Sequence, residues 1–284
     1  MKWLGLFISI CFFIFACVSE YEPSSIEIRL SRSVKILDDF GEEESITDAN
    51  VFIECDQGFT FEPVSVSEEG VYILKVDKLE PAYKYRLSIN WNDKEYKSEY
   101  LSPLDTPAID SISVESPASE KPVYICVTTH DNELEPTYYK WSYREIWEFN
   151  ADLFANAGYL NDKFYMFERH TSQNTYYCWG RDSSKVMLLA TTDKLTENLI
   201  YEKELIEIPR DHDKLKILYY IEVQQNRIRK EAYEYFKNIQ RNIEQTGSIF
   251  SPIPTEVRGN IVCVSDPKEW VLGYVDVTST TIMK

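Results

Sequence analysis

The chain has 284 residues, of which 44% are hydrophobic and 14% aromatic. This is the composition of a folded protein with a sizeable core, arranged as one large domain or two ordinary ones. Its formal net charge of −17 repels phosphate backbones, so we expect no nucleic-acid partner. Twenty tyrosines against nine glycines favour strands over glycine-rich loops.

The first 16 residues have the pattern of an export signal. Lys2 precedes an apolar run from Trp3 to Phe15. This run is shorter than the ~20 residues that a membrane-spanning helix needs. It matches the apolar region of a signal peptide, which is usually about 7 to 15 residues long.

The end of this run, Ile14-Phe15-Ala16-Cys17, resembles the lipobox of bacterial lipoproteins. In a lipobox an aliphatic residue lies three positions before the cysteine and a small residue lies directly before it. The resemblance implies a signal peptide over residues 1–16, a diacylated Cys17 as the new amino terminus, and a lipid-anchored tether over residues 17–25. The acyl chains would bind the lipid bilayer. An ordinary secreted protein is the alternative.

Four cysteines would remain in the processed protein. An even number in an oxidising compartment allows two disulfides in three connectivities. All four lie in apolar stretches, where free cysteine packs as a small hydrophobe, so we favour buried thiols. The absence of a CxxC pair argues against a zinc site. These cysteines are Cys55, Cys126, Cys178 and Cys263.

Residues 26–106 read as a β-sandwich. "SIEIRLS", "ANVFIEC" and "GVYILKV" are predicted strands, and the first alternates Ile26, Ile28 and Leu30 with charged residues. "KYRLSINWNDKEYKSEYLS" predicts a hairpin around Asn92-Asp93. Short strands joined by turns at regular spacing are typical of an immunoglobulin-like sandwich.

A proline-containing linker is predicted over residues 107–122, followed by a β-rich domain over residues 123–284. Proline cannot donate to a strand ladder, which favours a connection there. The second domain contains several aromatic or apolar strands and one amphipathic helix near residues 228–246, with Gly247 as its stop signal. The predicted fold class is therefore mainly β, with one helix.

Catalytic motifs are scarce. His130 and His212 lie in polar turns and His170 has no ligand spacing, so we predict solvated histidines and no metal site. Glu145 and Glu148 are a weak candidate for a general acid and base. The acidic stretch of Asp131, Asn132, Glu133 and Glu135 lacks EF-hand spacing, so we favour a plain loop over a calcium site.

Aromatic residues cluster in two strand-like runs of the second half. Tyrosine and tryptophan suit both core packing and ligand surfaces. Strand alternation would bury about half of them and leave the rest as candidate ligand-binding residues. The candidates are Tyr139, Trp141, Tyr143, Trp147, Tyr177 and Trp179.

Longer blocks of the sequence, beyond the lipobox, also resemble a bacterial lipoprotein family. "ANVFIE", "YRLSINWNDKEYKSEYLSPLDTPAIDSI", "CWGRDSSKVMLLATTDKL" and above all "QTGSIFSPIPTEVRGNI" followed by "VLGYV" resemble domain of unknown function 4249. This bacterial lipoprotein family is common in Bacteroidetes, and the blocks cover nearly all of the mature chain. Members have an extra strand between the lipid cysteine and the "LSRS" region. The resemblance therefore implies an incomplete first sheet edge or a shorter tether here.

The family's members are often encoded beside TonB-dependent outer-membrane receptors. The resemblance thus implies a non-catalytic accessory or binding subunit of nutrient uptake, anchored on the cell-surface or periplasmic face of the outer membrane, without a cofactor. A TonB-dependent receptor would be its partner, with an unknown ligand. A surface adhesion or structural lipoprotein is the alternative, and a hydrolase with scattered carboxylates is a third. Fold likeness alone does not decide among them.

Overall fold

A computed structural model describes residues 5–12, 24–33, 44–76, 79–153, 157–160, 162–166, 176–245 and 257–284. The described residues are mainly β, with several antiparallel sheets and one α-helix, which confirms the predicted fold class. Their strands form two β-sandwiches, which we call sandwich 1 and sandwich 2.

Sandwich 1 consists of two facing sheets. The first has the order β20-β1-β2-β7-β6, with β3 on β2, and the second has the order β19-β9-β8-β4-β5. The strands are β1 (Gly5–Phe12), β2 (Ser24–Ser33), β3 (Glu44–Ser45), β4 (Asn50–Cys55), β5 (Thr60–Phe61), β6 (Pro63–Val66), β7 (Val71–Val76), β8 (Tyr85–Trp91), β9 (Lys94–Ser98), β19 (Ile261–Cys263) and β20 (Trp270–Gly273).

The core of sandwich 1 follows from the alternation of its strands. Ile26, Ile28 and Leu30 of β2 are buried, while Glu27 and Arg29 between them are exposed. They join one cluster with residues of the facing sheet such as Leu87. The predicted hairpin is also present, because β8 and β9 pair around Asn92 and Asp93. Both turn residues have positive φ, at 50° and 58°, as a type I′ hairpin turn requires.

Sandwich 2 packs a three-stranded sheet, β10-β11-β17, against a five-stranded sheet, β15-β12-β18-β21, in which β16 also pairs with β12. A two-stranded hairpin, β13-β14, lies between β12 and β15 along the chain. The strands are β10 (Ile109–Glu115), β11 (Val123–His130), β12 (Tyr138–Asn150), β13 (Ala157–Leu160), β14 (Lys163–Met166), β15 (Tyr177–Ser183), β16 (Leu188–Thr191), β17 (Leu199–Ile208), β18 (Leu218–Ile228) and β21 (Thr280–Met283).

The helix α1 (Lys230–Gln245) lies against the outside of the five-stranded sheet. Ala232 and Tyr235 are buried. The Tyr233 and Tyr138 ring centroids are 5.3 Å apart, and Lys140 Nζ lies 4.4 Å from the Phe236 ring centroid. The helix therefore covers the end of the sheet where β12 begins.

The chain segments of the two sandwiches differ from the predicted domain boundaries in two places. First, β10 occupies residues 109–115 of the predicted linker and pairs with β11. Second, the chain returns to sandwich 1 after α1, since β19 pairs with β9 and β20 with β1. Val271, Val275 and Val277 are buried in the sandwich 1 core. Sandwich 1 is therefore built from both ends of the chain.

A buried ion pair holds the crossing between the sandwiches. Asp276 accepts hydrogen bonds from the Arg229 guanidinium and from the Arg229 backbone N–H, the latter at 2.9 Å. The same guanidinium donates to the backbone carbonyl of Ser102. Burial raises the pKa of Asp276, although Arg229 opposes this shift. This ion pair thus joins three parts of the chain. They are the start of α1, the segment around Ser102 that leads from sandwich 1 to sandwich 2, and the segment around Asp276 that leads from β20 to β21.

Of the cysteines outside the N-terminal segment, Cys55, Cys126 and Cys263 are free thiols, as favoured from the sequence. Cys55, Cys126 and Cys263 are buried, and Cys178 is half-buried. Burial raises the pKa of the Cys55 and Cys126 thiols, which makes them less reactive.

The buried pair gives a direct test of the crossing. We expect Asp276→Ala to lower the free energy of unfolding by ~3–5 kcal/mol, because it leaves a buried guanidinium without its carboxylate. Asp266→Ala is the matched control, since the Asp266 side chain is 47% exposed and lies 4.0 Å from Lys94. It should cost at most ~1 kcal/mol. Urea denaturation measures both, and equal midpoints would contradict a structural role for the pair.

Candidate functional site

The predicted lipid-anchor residue, Cys17, lies outside the described residues, between β1 and β2. The predicted signal peptide contains β1, which pairs with β2 along its whole length. Within the described ranges, no helix combines the length and apolar character needed to cross a bilayer.

The four predicted ligand residues of β12 all lie on one face of its sheet, and the first two of them are core residues. Tyr139 and Trp141 are fully buried in the sandwich 2 core, with their ring centroids 5.5 Å apart. Trp141 Nε1 donates to Gln225 Oε1 at 2.8 Å, and Gln225 Nε2 donates to the Pro107 carbonyl. These two predicted ligand residues are therefore core residues, since they have almost no surface to offer a ligand.

Tyr143 and Trp147 follow on the same face and are half-buried. Trp147 lies opposite Gly180 of β15, and a Cβ atom at Gly180 would overlap its ring. Lys214 Nζ lies 4.8 Å from the Trp147 ring centroid, and the His212 ring centroid is 6.3 Å away. The short 3₁₀ helix Asp213–Leu215 therefore closes this side of Trp147.

Glu145 lies between these aromatics and is only 1% exposed. It forms an ion pair with Lys214 and accepts a hydrogen bond from the Tyr219 hydroxyl at 2.7 Å. Burial and this bond raise the pKa of Tyr219. Lys214 and Tyr219 thus satisfy the carboxylate, as buried polar groups require. The arrangement joins the 3₁₀ helix to the sheet.

The proposed acid and base pair, Glu145 and Glu148, does not converge. Successive strand residues point to opposite faces, and Glu145 shares its face with the buried Trp141, whereas Glu148 lies opposite the exposed Trp179. The two carboxylates therefore lie on opposite sides of the sheet. This geometry is wrong for flanking one glycosidic bond.

The other face of this sheet exposes a group of large apolar residues, which we call the outer aromatic face. Cross-strand pairing places Ile146 between Arg181 and Tyr220, and Glu148 between Trp179 and Leu218. Directly paired residues share one face of a sheet. The outer aromatic face comprises Ile146 (42% exposed), Tyr177 (47%), Trp179 (61%), Leu218 (51%) and Tyr220 (41%).

This surface is the part of the sheet that α1 leaves uncovered. The helix contacts the Tyr138 end of β12, whereas the outer aromatic face lies at the Asn150 end. The β13-β14 hairpin follows directly along the chain and exposes Tyr159, Phe164 and Met166. Large exposed apolar patches commonly mark interaction sites.

Sequence reasoning identified part of this surface. Tyr177 and Trp179 were among the predicted ligand residues, and they are the two most exposed of the six. Ile146, Leu218 and Tyr220 were missed. The segment "LYYIEV" of β18 could have indicated two of them. In a strand, Leu218 and Tyr220 lie on one face and Tyr219 and Ile221 on the other.

The acidic stretch after β11 forms ion pairs. Arg227 pairs with Glu133 at 2.6 Å and with Asp131 at 3.4 Å. Asn198 donates to the backbone carbonyls of Glu133 and Glu135. Among the described residues, no group of three or more His, Cys, Asp or Glu side chains is arranged to hold a metal ion.

The histidines fill local roles where they are described. His130 Nδ1 lies 2.7 Å from the Asp110 carboxylate, and this hydrogen bond raises the pKa of His130. His212 Nδ1 accepts from the Lys214 backbone N–H and caps the 3₁₀ helix. His170 lies outside the described residues.

Comparison with protein families gives one match that covers most of the chain. Residues 16–282 match the family described as domain of unknown function (DUF4249). The chain belongs to this family. Membership confirms the resemblance seen in the sequence blocks and leaves the activity open, because the family's description assigns none. A comparison with curated proteins finds no match.

The contact between Trp147 and Gly180 can be tested with a double-mutant cycle. We expect Gly180→Ala to cost ~1–3 kcal/mol of stability, because the added methyl overlaps the Trp147 ring. In a Trp147→Leu background the same change should cost less than ~0.5 kcal/mol, since the overlap is gone. Thermal denaturation of the four proteins measures the coupling. A cost of Gly180→Ala that is unchanged by Trp147→Leu would refute the contact.

Proposed function

We propose that this DUF4249 protein is an exported lipoprotein, bound to an outer membrane by acyl chains on Cys17, and a non-catalytic accessory subunit of a TonB-dependent nutrient-uptake system. The outer aromatic face is the observation that carries the binding role. In this proposal it contacts the transporter or the nutrient that the transporter imports.

The amino-terminal sequence supports the membrane anchor. One basic residue, an apolar run and a small residue before Cys17 follow in the order that a lipoprotein signal has. Two acyl chains suffice for stable anchoring, whereas one gives only reversible binding. Six residues lie between Cys17 and β2, and an extended chain spans at most ~3.6 Å per residue. The anchor would therefore hold sandwich 1 within roughly 25 Å of the bilayer surface.

The chemistry of the outer aromatic face supports a binding role. Trp179 and Tyr220 are large, rigid side chains of the types enriched at binding hot spots. They lie on a sheet, which positions side chains more rigidly than a loop does. Charged side chains lie beside these apolar residues, since Arg181 pairs with Ile146 and Glu148 lies between Trp179 and Leu218. They can add polar contacts to the apolar ones, as most interfaces do.

The geometry favours binding over catalysis. Glu145 is the buried carboxylate of the aromatic region, and Lys214 and Tyr219 occupy its oxygens. Asp276 is likewise held by Arg229 and backbone N–H groups. These carboxylates serve as structural contacts within the fold. The outer aromatic face, by contrast, presents surface that the described fold does not use.

The anchor is tested by metabolic labelling with an alkyne-tagged palmitate in the native host. We expect label on the wild-type protein and on Cys11→Ala, since Cys11 lies in the predicted signal. Cys17→Ala should carry none, because it lacks the acylated thiol. Detection after detergent extraction and gel separation measures the label. Label that persists on Cys17→Ala would refute the assignment of the anchor.

The partner is tested by co-purification from native membranes in mild detergent. We expect the wild-type protein to recover a TonB-dependent barrel, and Cys17→Ala to recover less. The double variant Trp179→Ala/Tyr220→Ala should reduce recovery at least about tenfold, because hot-spot side chains dominate binding. Its stability should change little, since both residues are exposed.

Tyr201→Ala is the matched control. Tyr201 is 68% exposed and lies on β17 of the other sheet of sandwich 2, so its removal should leave barrel recovery unchanged. Full recovery with the double variant would place the contact elsewhere. Recovery of the lipoprotein alone, at wild-type abundance, would refute the uptake role and favour adhesion.

A further inference from the structure

The strand β1 lies in the interior of its sheet. It pairs antiparallel with β2 from Gly5 opposite Ser33 to Phe12 opposite Ile26. On its other side it pairs in parallel with β20, from Gly5 opposite Trp270 to Ile8 opposite Gly273. Within the described ranges, β1 is the strand partner of β20. The full-length chain therefore places this segment between two strands that do not otherwise meet.

Processing before Cys17 would remove this strand. Adjacent strands lie about 4.8 Å apart, so its loss leaves β2 and β20 separated by roughly 10 Å. The N–H and C=O groups that paired with β1 lose their partners, which is costly wherever water cannot reach them. Ile28, Leu30 and Val271 flank this position and belong to the sandwich 1 core. We call the vacated position the β1 slot.

The processed chain lacks the length to refill the slot from its own amino terminus. Only residues 18–23 would precede β2 apart from the acylated Cys17. A returning strand of eight residues and a two-residue turn need about ten residues. A second processed copy has lost the same strand, so two copies would not supply it to each other.

The register of β1 defines what fits the slot. The buried residues Ile26, Ile28 and Leu30 of β2 lie opposite Phe12, Ile10 and Ile8 in that register. All three positions of β1 are apolar. An occupant therefore needs about eight extended residues with an apolar side chain at alternate positions, running antiparallel to β2 and parallel to β20.

We infer that the processed protein binds an extended segment of a partner protein in the β1 slot by β-strand addition. Backbone hydrogen bonds to β2 and β20 supply affinity, and the apolar positions opposite Ile26, Ile28 and Leu30 supply register. The inference rests on the proposed processing at Cys17. It assigns a partner-binding site to sandwich 1 that is separate from the outer aromatic face of sandwich 2.

A peptide that carries the sequence of residues 5–12 tests the inference. The probe has Cys11→Ser and terminal lysines for solubility, and it is added to the processed lipoprotein purified in mild detergent. At a saturating concentration we expect a rise in melting temperature of about 5 °C or more. Amide hydrogen exchange of β2 and β20 should slow at least tenfold, while that of β4 and β8 stays unchanged. A permuted peptide with glycine and serine opposite Ile26, Ile28 and Leu30 is the control and should do neither.

The intact mass of the purified protein separates this inference from the proposed function. A chain that retains residues 1–16 overturns both, because β1 then stays in its sheet. A processed chain whose β2 and β20 exchange is unchanged by the peptide overturns the strand-binding inference alone. A processed chain that is dimeric, with β2 and β20 already protected, also overturns it, since a second copy would then fill the slot.

Discussion

The ion pair between Arg229 and Asp276 lies where three segments of the chain meet, and the architecture depends on that meeting. The Asp276 carboxylate accepts a hydrogen bond from the backbone at the start of α1, and the Arg229 guanidinium donates one to Ser102, where the chain first leaves sandwich 1. Asp276 itself lies in the C-terminal segment between β20 and β21. The pair is mostly buried, so its geometry must be maintained or its desolvation cost is uncompensated. Nearby, the Leu104 N–H donates to the Val277 carbonyl and Thr106 Oγ1 lies 3.1 Å from Thr278 Oγ1. These contacts fix the path by which β19 and β20 reach sandwich 1 and β21 reaches sandwich 2.

The two faces of β12 show how one strand can serve stability and recognition separately. Tyr139, Trp141 and Glu145 lie on the inner face. The two aromatic residues are part of the core, and Glu145 forms a buried ion pair with Lys214. Ile146 lies on the other face, beside Trp179 and Tyr220 on neighbouring strands. Since the pleat alternates strictly, a residue's parity in β12 decides which of these roles it has. The aromatic content of the segment alone carries no such information.

Much of the fold could be predicted from the sequence, because most strands alternate cleanly. The β2 segment and the Asn92-Asp93 hairpin are examples, since period-two hydrophobicity and turn chemistry agree there. The strand β17 lacks this agreement for a physical reason. Its sequence, "LIYEKELIEI", is rich in Glu, Lys and Leu, which favour helices. Its pairing with β11 also contains register shifts, and Glu202 has a positive φ of 46°. Such bulges break the alternation on which strand prediction depends.

Pairings between segments that are distant in the sequence could not be predicted from local patterns. Proline content indicated a connection over residues 107–122, yet β10 forms there because β11 offers it a sheet edge. The return of residues 257–277 to sandwich 1 has no local signature at all, since it depends on pairing with β9 and β1. For the candidate site, alternation predicted that about half of the aromatics would be buried. Of the six candidates, two are buried, two are half-buried and two are exposed. Which neighbours complete the exposed set is determined by the register between β12, β15 and β18.

The C-terminal segment gives the two candidate binding regions a shared element. It runs from β20, which borders the β1 slot, through Asp276 to β21, which pairs with β18 of the outer aromatic face. Twelve peptide bonds separate Val271 from Met283. The ion pair of Asp276 lies between these two strands, so one short segment contacts both candidate regions and is fixed to the start of α1 in its middle.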